Sequence, residues 1–221
     1  MKRSAVTLPA PYQVAPARLD GERLSDIASR AFIIVLFSFM AVRFGADFLQ
    51  THRLTNLLLL MSEMLVVALT VLRRSAATVD RSTRARMLTV LSLLGPPLVK
   101  PGLGTPLLPA SITVVASVVG LGIVIAGKVT LGRSFGLMPA NRGIVSSGIY
   151  QVVRHPIYTG YLITHVAFLF ANPSASNIAV LVAGDIFLML RAVCEEETLA
   201  RDERYRAYQQ LVRWRVCPGL F

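Results

Sequence analysis

The residues able to do chemistry in this chain fall in two short runs. The first is Gly148-Ile149-Tyr150-Gln151-Val152-Val153-Arg154-His155-Pro156-Ile157-Tyr158-Thr159-Gly160, and the second is the carboxylate cluster Glu195-Glu196-Glu197, about one apolar segment later. Both border long apolar segments, where ionisable side chains are expensive and mark functional positions by default. Gly, Tyr and Pro at fixed offsets from the Arg-His pair are more than a charged rim beside a membrane requires. A carboxylate can accept hydroxyl hydrogen bonds or pair with an ammonium, while a helix N-terminus favours a carboxylate or phosphate. Pro156 suits the first turn of a helix, where its missing N–H is not needed. That places His155 at or near the N-cap, beside N–H groups expected to be free. Gly143, Gly148 and Gly160 permit tight turns or close approach by a ligand.

The elements that must position these runs are membrane helices. The chain has 221 residues, 54% of them hydrophobic and only 16% charged, against roughly 25% charged in an ordinary soluble domain. About six apolar segments can be drawn: Ala31–Leu49, Leu57–Leu72, Leu88–Leu108, Pro109–Gly127, Ile157–Ala171 and Ile178–Val193. The third contains Gly95, Pro96, Pro97, Lys100 and Pro101, so it must be broken, bent or re-entrant. The last two are shorter than the roughly 20 residues of a perpendicular span, and flanking residues must extend them. The expected fold is all-α, a polytopic bundle of five to six spans with a cytoplasmic-side cofactor pocket capped by the C-terminal segment. Residues 1–26 read as an irregular N-terminal tail ending in a short interfacial turn at Leu24–Ile27. Residues 27–108 read as N-terminal transmembrane helices, and 109–221 as a catalytic core with an interfacial helix over Glu195–Arg215.

The formal net charge of +11 sits in the connections. Arg73, Arg74, Arg81, Arg84 and Arg86 lie in one, and Lys128, Arg133, Arg142 and Arg154 in another, while the alternate connections are nearly uncharged. By the positive-inside rule the basic connections and both termini face the cytoplasm, with six crossings, as in a bacterial-type inner membrane. The basic residues therefore meet lipid headgroups, and with no nucleic-acid-binding motif present nucleic acid is excluded as a partner. Residues 1–26 hold Pro9, Pro11 and Pro16 but no apolar core with a cleavage site, so they are not a signal peptide. Cys194 and Cys217 form no disulfide framework, and His52, His155 and His165 share no metal-ligand spacing. Neither pattern implies a metal. Some residues have plain structural uses: Tyr158 and Tyr161 suit interfacial anchors, Tyr205 and Tyr208 packing, and His165 a hydrogen bond to a neighbouring helix. Glu63 and Asp185, inside apolar spans, should face the bundle interior with partners. Gly120-x-Gly122 suits close helix packing or a cofactor wall.

The Gly-x-Tyr-x-x-x-Arg-His-Pro-x-Tyr-x-Gly pattern at 148–160 resembles the integral-membrane methyltransferases, which include the isoprenylcysteine carboxyl and phosphatidylethanolamine types. Leu131-Gly132-Arg133, Asn172-Pro173, Arg191-x-x-x-Glu195-Glu196-x-x-Leu199, Tyr205-x-x-Tyr208 and the ending Pro218-Gly219-Leu220-Phe221 add to the likeness, which covers roughly residues 120–221. The resemblance implies S-adenosylmethionine in a cytoplasmic-side pocket and a lipophilic acceptor entering from the bilayer. It implies that His155, Tyr158, Gly160, Glu195 and Glu196, with Gly148 and Tyr150, line the cofactor site. An acceptor carboxylate is already a nucleophile that an Arg could hold through paired hydrogen bonds, with Arg154 first choice and Arg213 or Arg215 behind it.

The tail resembles the isoprenylcysteine type more than the lipid type, so O-methylation of a carboxylate leads. A phospholipid amine, a small lipophilic thiol or another acid are the alternatives. From other classes come an NADPH-dependent membrane reductase and a non-catalytic scaffold.

Overall fold

The computed structural model describes residues 20–219, with side chains from Asp26 onward. Seven helices carry nearly all the regular structure among these residues: α1 (Asp20–Thr51), α2 (Leu54–Leu72), α3 (Thr83–Leu98), α4 (Ala110–Leu131), α5 (Pro156–Ala171), α6 (Ala175–Leu199) and α7 (Glu203–Leu211). Four stretches, Asp26–Thr51, Leu54–Leu72, Ala110–Ser134 and Ala175–Leu199, are long and apolar enough to cross a membrane, and α5 is a shorter apolar helix. Their outward faces carry exposed Phe32, Val35, Phe39, Val42, Val115 and Ile186. A surface so apolar fits lipid rather than water. The protein is a polytopic membrane helical bundle.

Each of the six apolar segments of the sequence corresponds to a helix, with shifted ends. Helix α1 starts at Asp20, so the expected turn at Leu24–Ile27 is continuous helix; the tail before it lies outside the described residues. Helix α3 starts at Thr83 and stops at Leu98, earlier at both ends than Leu88–Leu108. Ser82 caps its start by accepting a hydrogen bond from the Ala85 N–H at 3.1 Å. Pro96 and Pro97 fall in its last turns, where each lacks the N–H that would bond the carbonyl four residues back, and the helix ends at Leu98.

Contacts along α3 show how far it reaches. At one end Arg84 pairs with Glu197 at 2.9 Å. Midway Gly95 lies against Gly184, and beyond the other end the Lys100 N–H donates to the Asn177 side chain at 3.0 Å. The segment from Thr83 to Lys100 therefore matches α6 from end to end. The helices alternate in direction, and the N-terminal ends of α1, α3 and α5 share one face with the C-terminal ends of α2, α4 and α6.

That face is tied together by polar contacts between connections. Arg73 at the end of α2 bonds Asp26 on α1 at 2.7 Å. The Arg74 N–H donates to the Arg133 carbonyl at 2.8 Å. A two-residue antiparallel ladder joins β1 (Thr78–Val79) to β2 (Ala140–Asn141). The helix expected over Glu195–Arg215 is instead two helices. Helix α6 runs on to Leu199, and the chain breaks at Ala200–Asp202, because Asp202 accepts from the Arg204 N–H at 2.9 Å and so starts α7.

Two helix pairs dominate the packing, α4 with α5 and α3 with α6. The first is set by glycine: a Cβ at Gly160 would lie 2.5 Å from the Gly120 carbonyl oxygen and 2.6 Å from the Val124 side chain. Only a residue without a side chain lets these backbones meet.

Candidate active site

A cavity opens on the face where the connections meet, with about 1050 Å³ of empty space including its mouth. Its floor is Phe37, Val66, Leu131, Ile157 and Tyr161, and its upper wall is the 134–145 connection with Tyr150, Tyr205 and Tyr208. Arg142, Arg154, His155, Tyr158, Arg191 and Glu195 supply the polar lining.

Glu195 is fixed from two sides. Its Oε1 accepts from the Tyr158 hydroxyl at 2.6 Å and from Arg191 Nε at 3.2 Å, the latter one helical turn away. Its Oε2 stands 3.8 Å from His155 Nδ1. The Tyr158 ring stacks on His155 with centroids 5.2 Å apart, and the Arg191 guanidinium lies 5.6 Å from the same ring. Arg191 also donates to the Leu137 carbonyl, fastening α6 to the connection that walls the cavity. A carboxylate, three guanidinium groups and an imidazole thus share the cavity with aromatic faces.

Glu196 points elsewhere. It accepts from Arg154 Nε at 2.8 Å, Arg215 Nε at 3.0 Å and His155 Nε2 at 3.1 Å, with only 5% of its side chain exposed. Arg154 completes its fork by donating to the Val212 and Arg213 carbonyls at 2.9 and 3.0 Å. The segment 212–216 is thereby strapped along the start of α5. The Arg154 and His155 N–H groups donate to the Trp214 and Arg215 carbonyls at 2.9 and 2.7 Å, and Thr159 Oγ1 donates to the Val216 carbonyl at 2.7 Å. Of the backbone donors at the start of α5, the His155 N–H is taken by the chain's own C-terminal segment, Pro156 has none, and the Tyr158 N–H turns back to the His155 carbonyl at 3.0 Å. Pro156 does occupy the first helical turn, with His155 as N-cap residue.

The remaining residues of the two runs divide in the same way. Tyr150, Arg154, His155, Tyr158 and Glu195 line the cavity; Gly148, Gly160, Glu196, Arg213 and Arg215 do not. Gly148 adopts φ +57° in a turn against Thr130, and Gly160 is a helix-packing residue against α4. Arg213 lies over the Trp214 ring at 5.2 Å. Tyr208 donates to the Tyr150 carbonyl at 2.6 Å, closing the C-terminal helix over the cavity. Burial pushes the phenols of Tyr150, Tyr205 and Tyr208 far above the ordinary tyrosine range. They stay protonated at neutral pH, as donors and ring surfaces rather than bases.

The expected site set did not include Arg191, Tyr161 or Arg142, all of which line the cavity, although Tyr161 suits a ligand contact as readily as an interfacial anchor. Arg191 was legible as the i,i+4 partner of Glu195, and Tyr161 as the next turn of α5 after Tyr158. Arg142 had no local signal; a Cβ at Gly136 would meet its guanidinium, so that glycine makes the room for it.

A comparison with known families bears on the same part of the chain: residues 103–206 match the phospholipid methyltransferase family. Over these residues the chain is similar to the phospholipid methyltransferases. No curated protein matches the chain. The methyltransferase match includes α4, α5, α6 and the start of α7, so it spans every cavity residue except Phe37, Val66, Leu93 and Tyr208.

The donor set suits the cofactor implied by methyl transfer. S-Adenosylmethionine presents a carboxylate and an ammonium, ribose hydroxyls, an adenine ring and a sulfonium. Against these the cavity offers guanidinium groups, the Glu195 carboxylate and several tyrosine faces, which attract a cation as well as stack.

Proposed function

We propose that the protein transfers the methyl group of S-adenosylmethionine to a lipophilic acceptor resident in the membrane, with a carboxylate of isoprenylcysteine type as the leading acceptor. The observation that carries this is Glu195, held by Tyr158 and Arg191 inside a cavity closed by the C-terminal segment. The cofactor side is Glu195, Tyr158, His155 and Tyr150, with Glu195 receiving hydroxyl or ammonium donors. When bound, S-adenosylmethionine supplies an electrophilic methyl on a sulfonium. The displacement needs alignment and exclusion of water more than acid or base catalysis. The floor of Phe37, Val66 and Ile157 is apolar and disfavours water, and Tyr205 and Tyr208 of α7 wall the cavity from above.

Arg154 enters this reading as a positioning residue. Its guanidinium is engaged by Glu196 and by the strap carbonyls, so it fixes the lid of the cavity. Gly148, Gly160, Glu196, Arg213 and Arg215 act with it, through the backbone turn, the α4 packing and the strap. The connections that frame the cavity are the basic ones, which supports a site on the cytoplasmic side.

A phospholipid amine is the second reading, favoured by the family matched. Both are tested together by binding of labelled S-adenosylmethionine to the detergent-purified protein, followed by transfer into a total membrane extract. Label released as methanol by mild base identifies a methyl ester; base-stable label in lipid identifies the amine. Folded protein that binds NADPH but not S-adenosylhomocysteine would overturn the methyltransferase proposal in favour of a reductase. Binding of neither would favour a scaffold.

A further inference from the structure

Below the cavity, inside the apolar part of the bundle, lies an ionisable pair that the cofactor site does not use. His165 on α5 and Asp185 on α6 are joined by Nδ1 and Oδ1 at 2.7 Å, with side chains 15% and 21% exposed. Polar groups at this depth are expensive. Serving only to hold two helices together, such a bond is worth on the order of 0.6 kcal/mol, which neutral residues would supply with less desolvation.

Position connects the pair to the cavity. Tyr161, one turn before His165 on α5, lines the cavity and stacks on the His165 ring with centroids 6.3 Å apart. Helix α5 packs chiefly on α4 and α6 chiefly on α3, so the seam between α5 and α6 is the sparser one. Two polar rungs cross it: Tyr158 to Glu195 at the cavity, and His165 to Asp185 two turns further along α5. His165 Nε2 has no hydrogen-bond partner among the described residues and is not sealed from its surroundings.

We propose that the His165–Asp185 pair is the proton acceptor for a methyl-accepting group that arrives from the bilayer through the α5–α6 seam. This rests on the methyltransferase reading and deepens it. A carboxylic acid crosses hydrocarbon as the neutral acid, because an isolated carboxylate is too costly there. It becomes the carboxylate nucleophile only by losing its proton, a step before the displacement, which itself needs alignment rather than a base. With Nδ1–H donated to Asp185, the lone pair of Nε2 takes that proton: the acid O–H bond breaks, an Nε2–H bond forms, and Asp185 stabilises the imidazolium. The carboxylate oxygen then bonds the methyl carbon as the carbon–sulfur bond breaks, its electron pair going to sulfur. The imidazolium returns its proton to water. An ammonium acceptor loses its proton to the same nitrogen, so the shared requirement is an acceptor that carries a removable proton. The titratable or charged groups facing the pair are Tyr161 on α5 and, over the Tyr161 ring at 5.9 Å, Lys128 on α4.

The test is the pH profile of kcat/KM for a prenylated cysteine with a free carboxyl, in wild type, His165→Gln and Asp185→Asn, beside S-adenosylhomocysteine binding. Gln can still donate to Asp185, so the helix contact survives. Wild type is expected to lose rate as pH falls, because the base must be unprotonated. His165→Gln is expected to lose about 100-fold in rate together with that acid limb, with S-adenosylhomocysteine affinity within about twofold of wild type. Asp185→Asn is expected to lower the rate as well, with the affinity retained. Nitrogen-15 spectra of His165 supply a readout independent of turnover: Nδ1–H with a bare Nε2 supports the proposal, and the opposite tautomer overturns it. Near-wild-type rate and an intact acid limb in His165→Gln also overturn it. Wild type that neither binds S-adenosylhomocysteine nor transfers a methyl overturns the methyltransferase reading and this role with it, whereas loss confined to the variants supports the pair.

Discussion

Replacing Glu196 by Gln removes one negative charge from the centre of three donors while keeping the side chain's shape. The Arg154 and Glu196 side chains are 8% and 5% exposed, so this is a buried pair. Breaking such a pair from one side costs roughly 3–5 kcal/mol. Gln still accepts a hydrogen bond, and Arg215, at 35% exposure, is partly screened by solvent. About 2–3 kcal/mol is therefore the expected loss, which at 1.36 kcal/mol per decade is roughly 30- to 150-fold more frequent opening of the strap. The amides to watch are those of Arg154 and His155, whose hydrogens are given to the Trp214 and Arg215 carbonyls. Hydrogen exchange of the detergent-solubilised protein should accelerate at these two amides by that factor, and trypsin should cut sooner after Arg213 and Arg215. Protection unchanged within about twofold, in protein that remains folded, would refute the assignment of Glu196 to the strap.

Glu195→Gln and Tyr158→Phe should lower S-adenosylhomocysteine affinity by about tenfold or more, since charged hydrogen bonds contribute roughly 1.5–3 kcal/mol; calorimetric titration with both at wild-type affinity would remove Glu195 from the cofactor site. In Glu195→Gln the Arg154 and His155 amides should keep their protection, which separates the two neighbouring acids. Arg154→Lys should lower turnover, because a point ammonium cannot bridge Glu196 and two carbonyls at once; an unchanged rate would remove Arg154 from the working site. Gly160→Ala should destabilise by about 1–3 kcal/mol through overpacking against Gly120 and Val124, read as a lower Tm. Gly122→Ala, where a Cβ meets nothing within 4 Å, is its control and should leave Tm unchanged.

Much of this protein was written locally in its sequence. Apolar runs of bilayer length, Pro156 at a helix start and basic residues in alternate connections led to a helical membrane bundle with those connections on the same face as the site. Such signals depend on neighbours three or four positions away, so they survive without knowledge of the fold. The helix ends needed more, because caps such as Ser82 and Asp202 compete with propensity over single residues. Glu63 was expected to be buried with a partner; it is buried, yet its Oε2 has no hydrogen bond among the described residues, with Lys128 turned instead to Ser62 at 2.7 Å.

The motif at 148–160 and the acids at 195–197 were also legible, but not how the work is divided between them. Adjacent residues on an α-helix point about 100° apart. Glu195 therefore looks into the cavity at Tyr158, while Glu196 looks at Arg154 and the strap. The same holds at the entry to α5, where the Arg154 and His155 N–H groups are occupied by the returning C-terminal segment. The sequence by itself determined which residues carry the chemistry and which elements hold them. Only the tertiary structure decided what each one faces, because direction across a helix has meaning only once its neighbours are in place.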